Sequence, residues 1–83
     1  MKFKEIEAEQ TRIVEVLVKE CTEITGYDFS FRWSNLKNCY LNYNDKMVFV
    51  VVFSGVTYRI FDTKGAEVPY DQLEQALIKT LLE

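Results

Sequence analysis

Seven consecutive apolar residues, 47–53 (MVFVVVF), constrain the fold of this chain more than any other feature. Most of them are β-branched or aromatic, which favours a strand. A strand with one solvent-exposed face alternates apolar and polar residues, whereas an unbroken apolar run is typical of a strand covered on both faces. We expect helices of the same chain to cover one face. The second face must then be covered by another helix, by a second copy of the chain, or by a different partner.

Length and composition predict one packed α+β domain over residues 1–83, because 48% of the 83 residues are hydrophobic and 14% are aromatic. The net charge of −3 opposes non-specific binding to nucleic acid. No apolar segment approaches the ~20 residues that a membrane span needs, and the charged N-terminal residues do not resemble a secretory signal. We therefore expect a cytoplasmic protein that makes no contact with membranes.

Two segments carry helical patterns. Residues 3–25 predict a helix because their apolar residues recur on one face and most of their charged residues lie on the other. Gly26 is well placed to end that helix in a left-handed conformation. Pro69 is expected to open a second helix, in which Tyr70, Leu73 and Leu77 share one face with Leu81.

Four segments between the helices carry strand patterns, bounded by residues that favour loops and turns. The predicted strands comprise residues 27–33, 39–43, 47–53 and 56–61. Residues 44–46 and 54–55 are predicted to form tight turns. The order α-β-β-β-β-α therefore predicts an antiparallel four-stranded meander, with the N-terminal and C-terminal helices on one face of the sheet.

Turn lengths decide which side chains share a face of the sheet. A two-residue turn at 54–55 pairs Phe53 with Val56, and a three-residue loop at 44–46 pairs Tyr43 with Met47. The face that the helices cover is therefore predicted to hold Met47, Phe53, Val56 and Tyr58. The second face then has an apolar centre with arginines at its margin, which is the composition of a protein interface. The predicted partner-binding residues on this face are Tyr40, Val48, Val50, Val52, Phe61, Arg32 and Arg59.

The sequence offers little catalytic chemistry. Histidine is absent, which removes the commonest general base and the commonest zinc ligand. The chain has no Cys-x-x-Cys motif and no glycine-rich phosphate loop. Cys21 and Cys39 lie in phase with apolar neighbours, so we expect both to be small buried side chains. We predict a protein that is not an enzyme, with no catalytic residue, no metal and no cofactor.

Residues 67–74 (EVPYDQLE) bear on a nucleic-acid alternative. The chain's element order resembles the α-β-β-β-α order of the double-stranded-RNA-binding family if one short strand is not counted. That resemblance implies phosphate contacts at the start of the second helix, where the family carries lysines. Residues 67–74 are acidic and contain no lysine, which argues against RNA binding. In this alternative, Arg32, Arg59 and the aromatic residues of the second face would contact the nucleic acid.

The leading hypothesis is a small protein-binding module that acts through the apolar second face. Such a module is typical of inhibitors, antitoxins and immunity proteins, including phage-encoded inhibitors. Its partner is either another protein or a second copy, which would make a homodimer. Glutamates on the outer face of the first helix would steer it towards a basic partner.

Overall fold

The computed structural model describes residues 2–82, which form one antiparallel sheet flanked in sequence by two helices. The elements are α1 (Phe3–Thr25), β1 (Phe29–Trp33), β2 (Asn38–Tyr43), β3 (Lys46–Ser54), β4 (Thr57–Asp62), a 3-10 turn (Tyr70–Gln72) and α2 (Leu73–Leu82). The strands lie in the order β1-β2-β3-β4. The predicted α+β meander is confirmed, and its fourth strand distinguishes the chain from the three-stranded order of the double-stranded-RNA-binding family.

α1 coincides with the predicted segment. Its apolar stripe places Val14, Leu17 and Cys21 in the core. Gly26 adopts the left-handed conformation (φ 76°), and its N–H donates to the Thr22 carbonyl at 2.8 Å. A residue without Cβ takes this conformation at little cost, so Gly26 ends the helix as predicted.

The core lies on one face of the sheet. α1 contributes Leu17 to it, α2 contributes Leu77, and the strands contribute alternate residues such as Leu41, Phe49 and Ile60. Both helices therefore pack on the same sheet face. This arrangement contradicts the alternative in which one helix covers each face.

The β3–β4 turn lies one residue further along than the sequence pattern predicts. Ser54 pairs with Thr57, and Phe53 pairs with Tyr58 rather than with Val56. Gly55 has a positive φ of 62°, which suits its place in the turn. Because the pairing partner moves by two residues, Tyr58 remains on the core face, as predicted. Val56 itself lies in the turn and is exposed, so its prediction as a core residue is wrong.

The β2–β3 turn is one residue shorter than predicted. Tyr43 pairs with Lys46, not with Met47, so only Asn44 and Asp45 form the loop. Both have positive φ, 53° and 63°. Two positive φ values mark the mirror-image turn that matches the twist of a two-residue hairpin. On its own, this one-residue error would exchange the two faces of β3.

A β-bulge in β3 corrects the register. Leu41 pairs with Phe49, but Asn42 pairs with Met47, so Val48 is an extra residue with no partner of its own. From Phe49 onward the side chains lie on the predicted faces. Only Met47 and Val48 exchange their expected environments.

Gln10 connects α1 to the far hairpin. It is a buried polar residue, and its Nε2 donates to the Gly55 carbonyl at 2.6 Å. We expect Gln10→Ala to lower the free energy of unfolding by about 1–3 kcal/mol, because the turn carbonyl loses its partner. Urea denaturation measures this change. Gln75→Ala on the exposed side of α2 is the matched control, and equal losses in the two variants would contradict a stabilising role for the Gln10 contact.

α2 begins later than predicted. Pro69 is extended (φ −60°, ψ 147°) and precedes the 3-10 turn, and the α-helix starts at Leu73. Leu73 and Leu77 are buried as expected, but Tyr70 is 53% exposed and does not join them. The Tyr70 hydroxyl instead donates to the Glu20 carboxylate, and this bond raises the pKa of Tyr70 to about 12.

Candidate docking face

The sheet face opposite the helices, called here the open face, is organised around a row that crosses all four strands. Arg32 pairs with Tyr40, Tyr40 with Val50, and Val50 with Phe61. Paired residues point to the same side of a sheet, and neighbouring strands lie about 4.8 Å apart. The row therefore spans about 14 Å and changes from charged to apolar along its length.

A second row runs beside the first. Asn38 pairs with Val52, and Val52 pairs with Arg59. The apolar members of both rows are partly exposed, although they lie on the middle strands or beside them. They shield one another, but no helix covers them because both helices occupy the other face. The two rows bring together Tyr40, Val50, Val52, Phe61, Arg32 and Arg59, which are six of the seven predicted residues.

Val48 is the seventh predicted residue, and its placement on this face is wrong. Val48 is 3% exposed and belongs to the core cluster. The cause is the bulge, which inserts Val48 as an extra residue and breaks the alternation of β3. Met47 takes the place on the open face beside Asn42 and is 41% exposed.

The two arginines differ in their electrostatic surroundings. Arg59 Nη2 lies 3.0 Å from Glu67 Oε1, in an exposed ion pair. Arg32 takes part in none of the ion pairs between residues 2–82. Arg32 is therefore an unneutralised cation at the β1 end of the open face, whereas the charge of Arg59 is balanced.

Glu67 reaches the open face because the chain turns back along β4. Glu67 forms an antiparallel bridge with Phe61. On either side of it, Val68 N–H donates to the Ile60 carbonyl at 2.7 Å, and Asp62 N–H donates to the Ala66 carbonyl at 2.9 Å. The segment thus occupies the outer edge of β4 and extends the row by one more residue.

The sequence holds a signal for Met47 but a weaker one for Glu67. Asn44 and Asp45 are residue types that tolerate the left-handed conformation, and together they favour a two-residue turn. That turn alone would have placed Met47 on the open face, but it would also have exchanged the faces of the rest of β3, because the bulge is not evident from the sequence. The position of Glu67 depends on the direction in which the chain leaves the turn after β4, which composition does not specify.

A groove of about 520 Å³ lies between the first turns of α1 and the β1–β2 loop. Among its lining residues Glu7 is the only ionisable one, and its other polar side chains belong to Gln10, Thr11, Ser34 and Asn35. Within residues 2–82, no three His, Cys, Asp or Glu side chains lie close enough to hold a metal ion. Over the same residues, no helix combines the length and apolar character of a membrane span.

Both thiols are buried, as predicted. Burial raises the pKa of Cys21 to about 12 and that of Cys39 to about 11. We expect neither thiol to react with Ellman's reagent at pH 8 in the folded protein, and both to react in concentrated urea, since the thiolate is the reactive form. Rapid reaction of either thiol under native conditions would contradict this.

The same shifts predict a loss of stability at alkaline pH. An unfolded thiol ionises at a pH of about 8.5, before the folded thiols do. Above that pH the folded state retains more protons than the unfolded state does. The free energy of unfolding therefore falls as the pH rises. Urea midpoints measured between pH 8 and pH 11 test the direction of this change.

No protein-family model, no curated protein and no solved structure matches this chain. The geometry of the open face is therefore the basis for a functional proposal.

Proposed function

We propose that this protein is a non-enzymatic binding module whose open face docks on a protein surface. One observation carries the proposal. The apolar residues at the centre of the open face, Tyr40, Val50, Val52 and Phe61, lie on the side of the sheet that neither helix covers.

The composition and shape of the open face support a protein partner. Its centre is aliphatic and aromatic, and arginines flank it, as in protein interfaces. Burial of apolar surface contributes roughly 25 cal/mol per Å² removed from water. Small molecules are usually bound in concave pockets, whereas a sheet face offers its apolar area to another broad surface.

The charges on the open face favour protein over nucleic acid. Binding to a nucleic-acid backbone depends on several lysine or arginine side chains, which neutralise phosphates and thereby release the counterions condensed on the nucleic acid. Here the Arg59 charge is balanced by Glu67, and the chain as a whole carries a net charge of −3. Arg32, which pairs with no carboxylate among residues 2–82, supplies a positive charge beside the apolar rows, and this charge fits a carboxylate at the edge of a docked protein surface.

Binding without chemistry is how inhibitors, antitoxins and immunity proteins act, and we place this chain in that broad functional class. The chain supplies no histidine for acid–base chemistry. Its two thiols are buried and have raised pKa values. Its contribution is therefore a binding surface with a positive charge at one margin.

The test compares three immobilised forms: the wild type, Val50→Asp on the open face, and Val16→Asp on the outer side of α1, where Val16 is 42% exposed. We expect the immobilised wild type and Val16→Asp to retain a partner protein, and we expect Val50→Asp to fail to retain it. Titration with that purified protein should show an affinity loss of at least tenfold for Val50→Asp alone. Equal affinity for all three forms would contradict the proposal, as would salt-sensitive binding of duplex RNA or DNA by the wild type.

A further inference from the structure

We infer that the occupant of the open face is a second copy of this chain, related by a two-fold axis that runs parallel to β3 beside Val50. This inference rests on the proposed function and specifies its partner. It follows from the order of side chains along the central row.

The row is self-complementary when it is reversed. The bridge between Phe61 and Glu67 extends it to five members, Arg32, Tyr40, Val50, Phe61 and Glu67. Val50 stands at the middle, and the two charged ends lie two strand spacings, about 10 Å, on either side of it. The ends carry opposite charges, and each is separated from Val50 by an aromatic residue.

The charges select one of the two possible in-plane axes. A two-fold axis parallel to the strands reverses the row, so Val50 faces Val50 of the second copy, Tyr40 faces Phe61, and Arg32 faces Glu67. An axis along the row would instead bring each Arg32 against Arg32 of the second copy, and each Glu67 against Glu67. Only the first axis pairs opposite charges, and it does so twice because the interface is isologous.

The second row, which contains Asn38, Val52 and Arg59, is compatible with the same two-fold axis. Val52 faces Val52 of the second copy, and Asn38 faces Arg59, whose N–H groups can donate to the amide oxygen. Glu67 then accepts from Arg59 of its own chain and from Arg32 of the second copy, which its two oxygens accommodate. Two sheets stacked face to face in this way form a sandwich about 10 Å thick.

The size of the open face predicts a weak dimer. Five paired positions cover about 19 Å across the sheet, and six-residue strands such as β2 and β4 extend about 20 Å. The footprint is on the order of 400 Å² per copy, about half of the ~800 Å² that each partner contributes to a standard interface. Dimerisation should therefore depend on protein concentration.

Sedimentation velocity from low micromolar to near-millimolar protein is the test. We expect the wild type and Val16→Asp to dimerise with rising concentration, and Val50→Asp to stay monomeric with an unchanged circular dichroism spectrum. Arg32→Glu and Glu67→Arg should each raise the dimer dissociation constant about tenfold, because each replaces two attractive contacts with repulsive ones. The double variant Arg32→Glu/Glu67→Arg should recover most of that loss.

Three results would overturn the second copy as the occupant: a wild type that is monomeric throughout, a dimer that survives Val50→Asp, or a double charge variant no better than the single variants. The charge variants keep the test decisive if Val50→Asp fails to fold, because Arg32 and Glu67 are exposed. If the wild type is monomeric and binds a different protein, and Val50→Asp abolishes that binding, the dimer is overturned and the proposed function stands. If Val50→Asp leaves the binding of that protein unchanged, the proposed function is overturned.

Discussion

Val48→Asp should unfold the protein, whereas Val50→Asp, two residues along the same strand, should leave it folded. Val48 is buried in the core by the bulge. A carboxylate there has no partner and costs several kcal/mol, which is comparable with the 5–15 kcal/mol that stabilises a typical domain. Val50 lies on the open face, so aspartate there should cost about 1 kcal/mol, mainly through its poor strand propensity.

Circular dichroism and urea denaturation of the two variants distinguish the possible arrangements of β3. If both variants unfold, the open face is internal and the docking proposal fails. If both stay folded, Val48 is not in the core and the bulge is absent. A sheet without the bulge would place Val48 and Val50 on the same face, because side chains alternate with period two, so both variants would unfold or both would stay folded.

Phe49→Ala should lower the free energy of unfolding by about 3–5 kcal/mol, since it leaves a cavity where a fully buried ring lies between the helices and the sheet. Phe3→Ala is the matched control, because Phe3 is 62% exposed at the start of α1 and its loss should change stability by about 0.5 kcal/mol or less. Urea denaturation at constant pH gives both values. Similar losses in the two variants would mean that Phe49 is not the centre of the core.

Long, regular patterns could be predicted from the sequence because many residues contribute to each of them. α1 begins and ends at the predicted residues, since its apolar stripe persists for six turns and Gly26 supplies a clear end. The start of α2 is less clear. Proline is tolerated both at the position that precedes a helix and in the first turn of the helix. Pro69 alone therefore does not determine where α2 begins.

The two hairpins show which errors of register matter. At the β3–β4 turn the pairing partner of Phe53 differs by two residues from the prediction, and the faces of β4 are unchanged because side chains alternate with period two. At the β2–β3 turn the difference is one residue, which would exchange the faces of β3 entirely. The bulge at Val48 limits the exchange to Met47 and Val48. Sequence alternation did not reveal the bulge, because the strand is apolar at every position there.

The charges around the open face depend on tertiary structure more than its apolar centre does. The predicted turn lengths and alternation place Tyr40, Val50, Val52 and Phe61 on this face, and for Val50 and Val52 the bulge cancels the one-residue error in the β2–β3 turn. The difference between the two arginines does not follow from alternation, because Glu67 reaches Arg59 only after the chain turns back along β4. That contact makes Arg32 the distinctive charge of the open face and gives the central row opposite ends.

Thiol labelling of an introduced cysteine tests most directly whether the valine side of β3 is accessible in a single chain. The native thiols are buried and provide little background. In the dilute, folded protein, the thiol of Val50→Cys should react with a maleimide at a rate close to that of an exposed cysteine, and the thiol of Val48→Cys should react slowly. If Val50→Cys proves as slow as Val48→Cys while the protein is monomeric, this chain covers that side of the sheet itself, and the account of an open face is wrong.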